Sequence, residues 1–106
     1  MGLTLAYETW GEGTRPLLLL HGFTGNRGSF DHLRPLLGAH VQATVVDLPG
    51  HGESPLPHHT GREGFIETVE ALLALVARLG HSSVDLLGYS QGARLALAMS
   101  VRAPCE

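Results

Sequence analysis

The chain contains one segment in which apolar and polar residues alternate and three further short runs that are rich in apolar residues. Residues 3–9 alternate apolar and polar side chains with a period of two, which is typical of a β-strand with one buried face. Three short runs follow, at residues 16–20, 42–47 and 84–87, of which the first is continuously apolar and the other two combine apolar with polar residues. Runs of this length favour strands that are covered on both faces, as in a parallel sheet.

Helical patterns lie between these runs. Ser29 is the predicted cap of a short helix over residues 30–37. Thr60 and Glu63 have the spacing of a capping box and predict the start of a longer helix. The apolar stripe of that helix consists of Phe65, Val69, Leu72, Leu73, Val76 and Leu79.

A third helix follows the last apolar run and extends to about Arg102. The predicted order is strand, strand, helix, strand, helix, strand, helix. Helices that alternate with buried strands predict an α/β fold, in which a mostly parallel sheet is flanked by helices and joined by right-handed crossovers. We find no internal repeat and no linker, so residues 1–106 are expected to form one structural unit.

Composition and charge narrow the classes of partner. The hydrophobic content of 43% predicts a packed core, and a net charge of −3 offers no basic face for nucleic acid. Cys105 is the only cysteine, so no internal disulfide can form. The first residues do not resemble a signal peptide, and the longest aliphatic run is too short to span a bilayer. We therefore expect a cytoplasmic protein with no nucleic-acid or membrane partner.

The strongest chemical signal is the Gly-Tyr-Ser-Gln-Gly sequence at residues 88–92, between an apolar run and an alanine-rich helix. A strand that ends in Gly-x-Ser-x-Gly and turns sharply into a helix holds its serine on a strained, exposed corner. Gly88 and Gly92 are needed there because a side chain would collide where strand and helix cross. Ser90 is therefore the candidate nucleophile, and the alternative is an ordinary glycine-rich turn.

Two further motifs accompany the serine motif. His-Gly-Phe-Thr-Gly occupies residues 21–25, after the first apolar run, and Asp-Leu-Pro-Gly-His-Gly-Glu-Ser occupies residues 47–54, after the second. In this order and spacing the motifs resemble the α/β-hydrolase superfamily over residues 3–102. The resemblance implies the N-terminal part of an α/β-hydrolase fold, truncated after the nucleophile helix, with the strand before His21 next to the strand before Ser90.

The same resemblance implies roles for individual residues. The backbone N–H groups of Phe23 and Gln91 would form an oxyanion hole, with Gln91 at a helix N-terminus. His21 and Gly22 belong to a structural motif, in which His21 orders loops and is not the catalytic base. Asp47 and His51 have a structural interpretation too, although their residue types would also suit an acid and a base.

Other polar residues give weaker signals. Asp85 lies at the start of the nucleophile strand, and five residues at ~3.3 Å each place it far from Ser90, so it is not the orienting acid. His58 and His59 have no second group of ligands nearby in the sequence, which favours a solvated loop over a metal site. We expect no metal and no cofactor.

Arg94 lies one helical turn after Ser90, where we expect a buried guanidinium that binds a carboxylate. With this arginine the motifs resemble the 2-succinyl-6-hydroxy-2,4-cyclohexadiene-1-carboxylate synthases of menaquinone biosynthesis, which eliminate pyruvate from a polycarboxylated substrate. Arg94 would then bind a carboxylated small molecule. The alternatives are an Arg94 that points to solvent or pairs with a loop carboxylate, and a carboxylesterase, lactonase or carbon–carbon bond hydrolase.

The superfamily's acid and histidine follow the serine along the chain, after strands that this sequence does not contain. Without a base a serine is a weak nucleophile, so we expect the 106 residues alone to be inactive. A non-catalytic fragment that needs a complementing chain is the remaining alternative. The strand before Ser90 would also be left as an exposed sheet edge, which predicts self-association.

Overall fold

The computed structural model describes residues 3–22 and 25–102, and a four-stranded sheet lies at their centre. The strands are β1 (Tyr7–Trp10), β2 (Arg15–Leu20), β3 (Val41–Val46) and β4 (Asp85–Gly88). Their spatial order is β1-β3-β2-β4, with β2 parallel to both β3 and β4, and β1 antiparallel to β3. The predicted mostly parallel α/β sheet is confirmed, and the strands before His21 and Ser90 are neighbours.

The first strand begins later than predicted. β1 covers only Tyr7–Trp10, although the alternation starts at Leu3. Leu3 and Leu5 are nevertheless buried, as the period of two requires, but Tyr7 and Thr9 of the same predicted face are exposed. Ahead of β1 the chain pairs with a loop instead of a strand, because the N–H of Ala6 donates to Ser54 Oγ at 2.7 Å.

The helices lie on both faces of the sheet. A 3₁₀ helix (Arg27–Leu33) continues into α1 (Arg34–Leu37), and the longer helices are α2 (Gly61–Arg78) and α3 (Gln91–Arg102). The 3₁₀ helix and α1 cover a core cluster that consists of Trp10, Leu19, Phe30, Val41, Ala43 and Val45. The opposite cluster lies under α2 and α3 and includes Leu18, Leu20, Val46, Val69, Leu72, Leu75, Leu95 and Met99.

The predicted cap of the first helix is wrong, whereas the predicted cap of α2 has the right position but forms no capping box. Asn26 caps the 3₁₀ helix, since its side chain accepts from the Gly28 N–H at 2.8 Å, while the Ser29 hydroxyl accepts from the Asn26 N–H at 3.0 Å. Thr60 occupies the cap position of α2 but makes no side-chain cap hydrogen bond. The chain enters α2 through Gly61 at φ +59°, a left-handed conformation that a capping box does not contain.

The buried face of α2 differs in part from the predicted stripe. Val69 and Leu72 are buried as expected, and Leu75 is buried although the stripe did not include it. Four other predicted positions are only partly buried and pack at the border of the cluster, namely Phe65, Leu73, Val76 and Leu79. No helix in the described ranges is long and apolar enough to cross a membrane.

Candidate active site

Ser90 occupies the turn between β4 and α3. Its φ is +57°, and it is the only non-glycine residue with a positive φ in the part of the chain that the structure describes. A left-handed conformation costs an L-residue roughly 1–2 kcal/mol, and such strain is typically kept at functional sites. Ser90 is also exposed, so its hydroxyl stands on a strained corner that a ligand can approach.

The glycines around this corner allow three backbone segments to come close together. A Cβ on Gly88 would collide with the carbonyl group of Gly92, and a Cβ on Gly92 would collide with the carbonyl group of Leu20 at the end of β2. On Gly22 a Cβ would lie 2.9 Å from the ring of Tyr89. The corner, the start of α3 and the end of β2 are therefore packed backbone to backbone.

The backbone N–H after the serine is available to a ligand. Gln91 begins α3, and its N–H donates to no residue that the structure describes, whereas the Ala93 N–H donates to the Ser90 carbonyl at 3.0 Å. The start of a helix also carries a partial positive charge. These are the properties of an oxyanion donor. Phe23, the second predicted donor, lies outside the described residues.

His21 is buried and both of its ring nitrogens are engaged. Its Nε2 accepts from the Leu48 N–H at 2.9 Å, so the proton is on Nδ1, which donates to the Gly22 carbonyl at 2.6 Å. Burial lowers the pKa of His21, against the effect of the Gly22 hydrogen bond. The ring of His51 lies against it at 4.9 Å, with Nδ1 3.0 Å from the Pro49 carbonyl. In this geometry His21 joins two loops and is not available to take a proton from Ser90.

Asp47 is equally occupied. Its buried carboxylate accepts from the Arg27 N–H at 2.6 Å, from Arg27 Nη1 at 2.7 Å and from the Glu53 N–H at 2.9 Å. Arg27 also contacts Glu8 at 3.4 Å and the Glu53 carboxylate at 2.8 Å, and the hydrogen bond with Glu53 contributes most to raising the pKa of its guanidinium. The Asp47 carboxylate thus ties the start of the 3₁₀ helix to the loop after β3.

The remaining sequence candidates have partners away from Ser90. Asp85 forms an exposed ion pair with Arg15 at 2.5 Å. His58 and His59 contact Glu67 on α2, at 2.5 and 3.3 Å. Burial alone would raise the pKa of Glu67, but hydrogen bonds from the two histidines outweigh it and lower the pKa to about 2. Within residues 3–22 and 25–102 no group of three or more His, Cys, Asp or Glu side chains is placed to hold a metal ion.

Arg94 is exposed, so the expectation of a buried guanidinium is wrong. The buried face of α3 consists of Gly92, Leu95 and Met99, and Arg94 lies outside it. Arg94 forms no ion pair with any residue in the described ranges. The side chain therefore remains free to meet an anion from solvent.

A cleft of about 700 Å³ opens beside the serine. Its lining residues are His21, Gly22, Gly25, Ser29, Phe30, His32, Leu33, Tyr89 and Ser90. The sequence analysis missed the 3₁₀ helix and Tyr89 as parts of this cleft. Phe30 and Leu33 have the pattern of core residues, so no sequence signal separates their lining role from packing. Tyr89 could have been found, because it stands directly before the candidate nucleophile.

Comparison with known proteins gives consistent matches. The family profile described as "alpha/beta hydrolase fold" matches residues 15–105. A Drosophila melanogaster protein named "Probable serine hydrolase" is 36% identical over an alignment of 106 positions, which covers 97% of this chain and 32% of that protein. A pimeloyl (acyl-carrier protein) methyl ester esterase of Neisseria meningitidis serogroup C is 34% identical over 93 residues, 88% of this chain and 34% of that protein.

Solved structures agree with these matches. The structure named "Marine microorganism esterase" superposes with a TM-score of 0.84 at 25% identity, over 93% of this chain and 37% of that one. The chain therefore spans about a third of the length of the curated relatives that it matches.

Proposed function

The chain belongs to the α/β-hydrolase fold family, and from that premise we propose that it carries the nucleophile of a serine-dependent hydrolase that acts on carboxylic esters. The observation that carries the proposal is the corner at Ser90, where an exposed serine is held at φ +57° beside an N–H that has no described partner. The names of two relatives, a serine hydrolase and a methyl ester esterase, support the same reaction class.

In the proposed reaction Ser90 Oγ attacks the carbonyl carbon of the ester and gives up its proton to a general base. The carbonyl oxygen becomes an oxyanion, which the Gln91 N–H stabilises together with the N–H of Phe23. Collapse of the tetrahedral intermediate breaks the ester C–O bond, the protonated base gives its proton to the departing alcohol, and an acyl group is left on Ser90. Water then gives a proton to the base and attacks the acyl carbon, and the second intermediate releases the carboxylic acid while Ser90 Oγ takes the proton back.

The base in this mechanism is not His21. His21 has both ring nitrogens engaged. The proposal therefore takes the acid and the base from the positions that this fold gives them, after the serine along the chain. The isolated 106 residues are expected to be inactive. A small-molecule substrate and a cytoplasmic location belong to the same proposal.

A second candidate function is the elimination of pyruvate from a polycarboxylated substrate. The observation that favours it is Arg94, which is exposed one helical turn after Ser90 and has no ion-pair partner in the described ranges. A guanidinium in that position can bind a substrate carboxylate with two parallel hydrogen bonds.

Ester hydrolysis by the full-length protein tests the first proposal. With p-nitrophenyl butyrate as substrate, Ser90→Ala is expected to lower kcat by at least about 10⁴-fold, because the nucleophile is lost. Ser100→Ala makes the same chemical change within α3, away from the corner, and is expected to leave kcat unchanged. If Ser90→Ala keeps the parent activity, Ser90 is not the nucleophile.

Arg94→Ala separates the two candidates. A selective loss of activity on polycarboxylated substrates, with p-nitrophenyl butyrate unaffected, would favour pyruvate elimination. Equal activity of Arg94→Ala and the parent on both classes of substrate would favour ester hydrolysis alone.

A further inference from the structure

The cleft beside Ser90 is lined by the aromatic side chain of Tyr89 and by Phe30 and Leu33 of the 3₁₀ helix. We infer that Tyr89 is a specificity-determining residue, which together with the 3₁₀ helix binds an uncharged, apolar acyl group next to Ser90. This inference rests on the proposed ester hydrolysis and names the class of substrate.

Tyr89 is placed to contact a bound group. Its side chain is exposed to 70%, although its ring lies close to Gly22 and lines the cleft with Ser90. The backbone at this position is fixed, because the Tyr89 N–H donates to the Leu20 carbonyl at 3.0 Å. A large aromatic surface on a fixed backbone loses little conformational entropy when a ligand covers it.

The 3₁₀ helix contributes two apolar residues to the cleft. Phe30 is buried in the core cluster under the 3₁₀ helix, and Leu33 is partly buried and packs against that cluster. Both residues also line the cleft. Since their positions are fixed by core packing, they present a rigid apolar surface to a group that binds in the cleft.

The cleft lacks a fixed charge. Among the described residues that line it there is no Asp, Glu, Lys or Arg. Its titratable side chains are Tyr89, His21, whose ring nitrogens are both engaged, and His32, which is exposed at the rim. Arg94 does not line this cleft. A carboxylate that entered would lose its hydration without gaining a fixed cation, so a neutral group is favoured.

The volume agrees with an acyl chain of moderate length. A cleft of about 700 Å³ lies within the range of small-molecule sites, which typically measure roughly 300–1,000 Å³. A pair of methyl esters of equal acyl length therefore tests the inference. Methyl hexanoate ends in a methyl group, and monomethyl adipate ends in a carboxylate at the same position.

The experiment measures kcat/KM of the full-length protein for both esters. Methyl hexanoate is expected to be preferred by about tenfold or more, and Tyr89→Ala is expected to lower its kcat/KM by about tenfold while changing that of monomethyl adipate much less. Tyr89→Phe keeps the ring and is expected to restore the preference. Tyr7→Ala removes the other tyrosine, on β1 at the far edge of the sheet, and is expected to change neither value.

A binding measurement keeps this test separate from the proposed reaction. Saturation-transfer NMR follows methyl hexanoate on the Ser90→Ala variant, which cannot form an acyl intermediate. Saturable binding that Tyr89→Ala weakens supports the inference even if no ester is hydrolysed, in which case only the proposed reaction fails. Equal or stronger binding of monomethyl adipate, no saturable binding, or a Tyr89→Ala variant that behaves like Tyr7→Ala would overturn it.

Discussion

The loop after β3 and the corner after β4 contain the same kinds of reactive residue but use them in opposite ways. In the loop, Asp47 is buried and accepts three hydrogen bonds from Arg27 and Glu53. At the corner, Ser90 is exposed at a left-handed φ, and the following N–H has no described partner. After β3 the carboxylate is hydrogen-bonded within the protein, whereas after β4 the hydroxyl and the N–H are accessible to a ligand.

This difference shows that residue type alone does not identify a catalytic group. Asp47 and His21 have the chemistry of an acid and a base, yet the hydrogen bonds that the structure shows for them join loops of the fold to one another. Ser90 is chemically ordinary and is marked by strain and exposure. A buried polar group with all its partners stabilises structure, whereas a strained and accessible one indicates function.

Among substitutions in the two regions, Asp47→Ala is expected to change the free energy of unfolding most. Loss of the carboxylate leaves the backbone N–H groups of Arg27 and Glu53 without an acceptor and removes the buried partner of the Arg27 guanidinium, so the free energy of unfolding is expected to fall by about 3 kcal/mol. Glu53→Ala removes a carboxylate that binds the same guanidinium but is 74% exposed, and is expected to cost about 0.5 kcal/mol or less. Urea unfolding measures both. Equal effects would show that Asp47 does not hold the loop.

Lowering the pH is expected to reduce the free energy of unfolding through His21, which belongs to the loop side of the comparison. Burial keeps the pKa of His21 below its ordinary 6.5, so the unfolded chain takes up a proton that the folded chain does not. The contribution of His21 to the free energy of unfolding is then fully present above pH 6.5. It decreases as the pH is lowered further, by at most about 1.4 kcal/mol between pH 7.5 and 5.5. Glu67 has a pKa of about 2 in the folded protein, below its ordinary value of 4.5. Its contribution to the free energy of unfolding is therefore present above pH 4.5 and is lost only as the pH falls below that value.

Urea unfolding at several pH values checks this prediction. His21→Asn is expected to flatten the profile between pH 7.5 and 5.5. His40→Gln, at an exposed position, is expected to leave the shape of the profile unchanged. An unchanged profile in His21→Asn would assign the effect to another group.

The smallest change in the free energy of unfolding is expected at the corner, where the substitution stabilises the protein instead of destabilising it. Ser90→Gly relieves a left-handed conformation and is expected to raise the free energy of unfolding by about 1 kcal/mol while abolishing hydrolysis. Ser100→Gly makes the same change within α3 and is expected to lower stability by about 0.5 kcal/mol. Thermal unfolding compares them. Destabilisation by Ser90→Gly would show that the corner stores no strain.

Local patterns predicted most of the fold and the position of the corner. The three apolar runs correspond to β2, β3 and β4, and the glycines at residues 88 and 92 indicated the close crossing that the backbone makes. The contacts of Arg27 and Glu67 could not be predicted, because their partners lie 8–26 residues away and follow no period. The cleft was missed for a related reason, since Phe30 and Leu33 serve the core and the cleft at once.

The most direct test of the account is covalent labelling of the full-length protein with a fluorophosphonate, followed by mass spectrometry of the peptide that contains Ser90. An activated serine reacts with this probe, while an ordinary hydroxyl at neutral pH does not. The account predicts one phosphonate adduct on Ser90, absent from Ser90→Ala. An unmodified Ser90, or an adduct on a different serine, would contradict the claim that this corner holds the nucleophile.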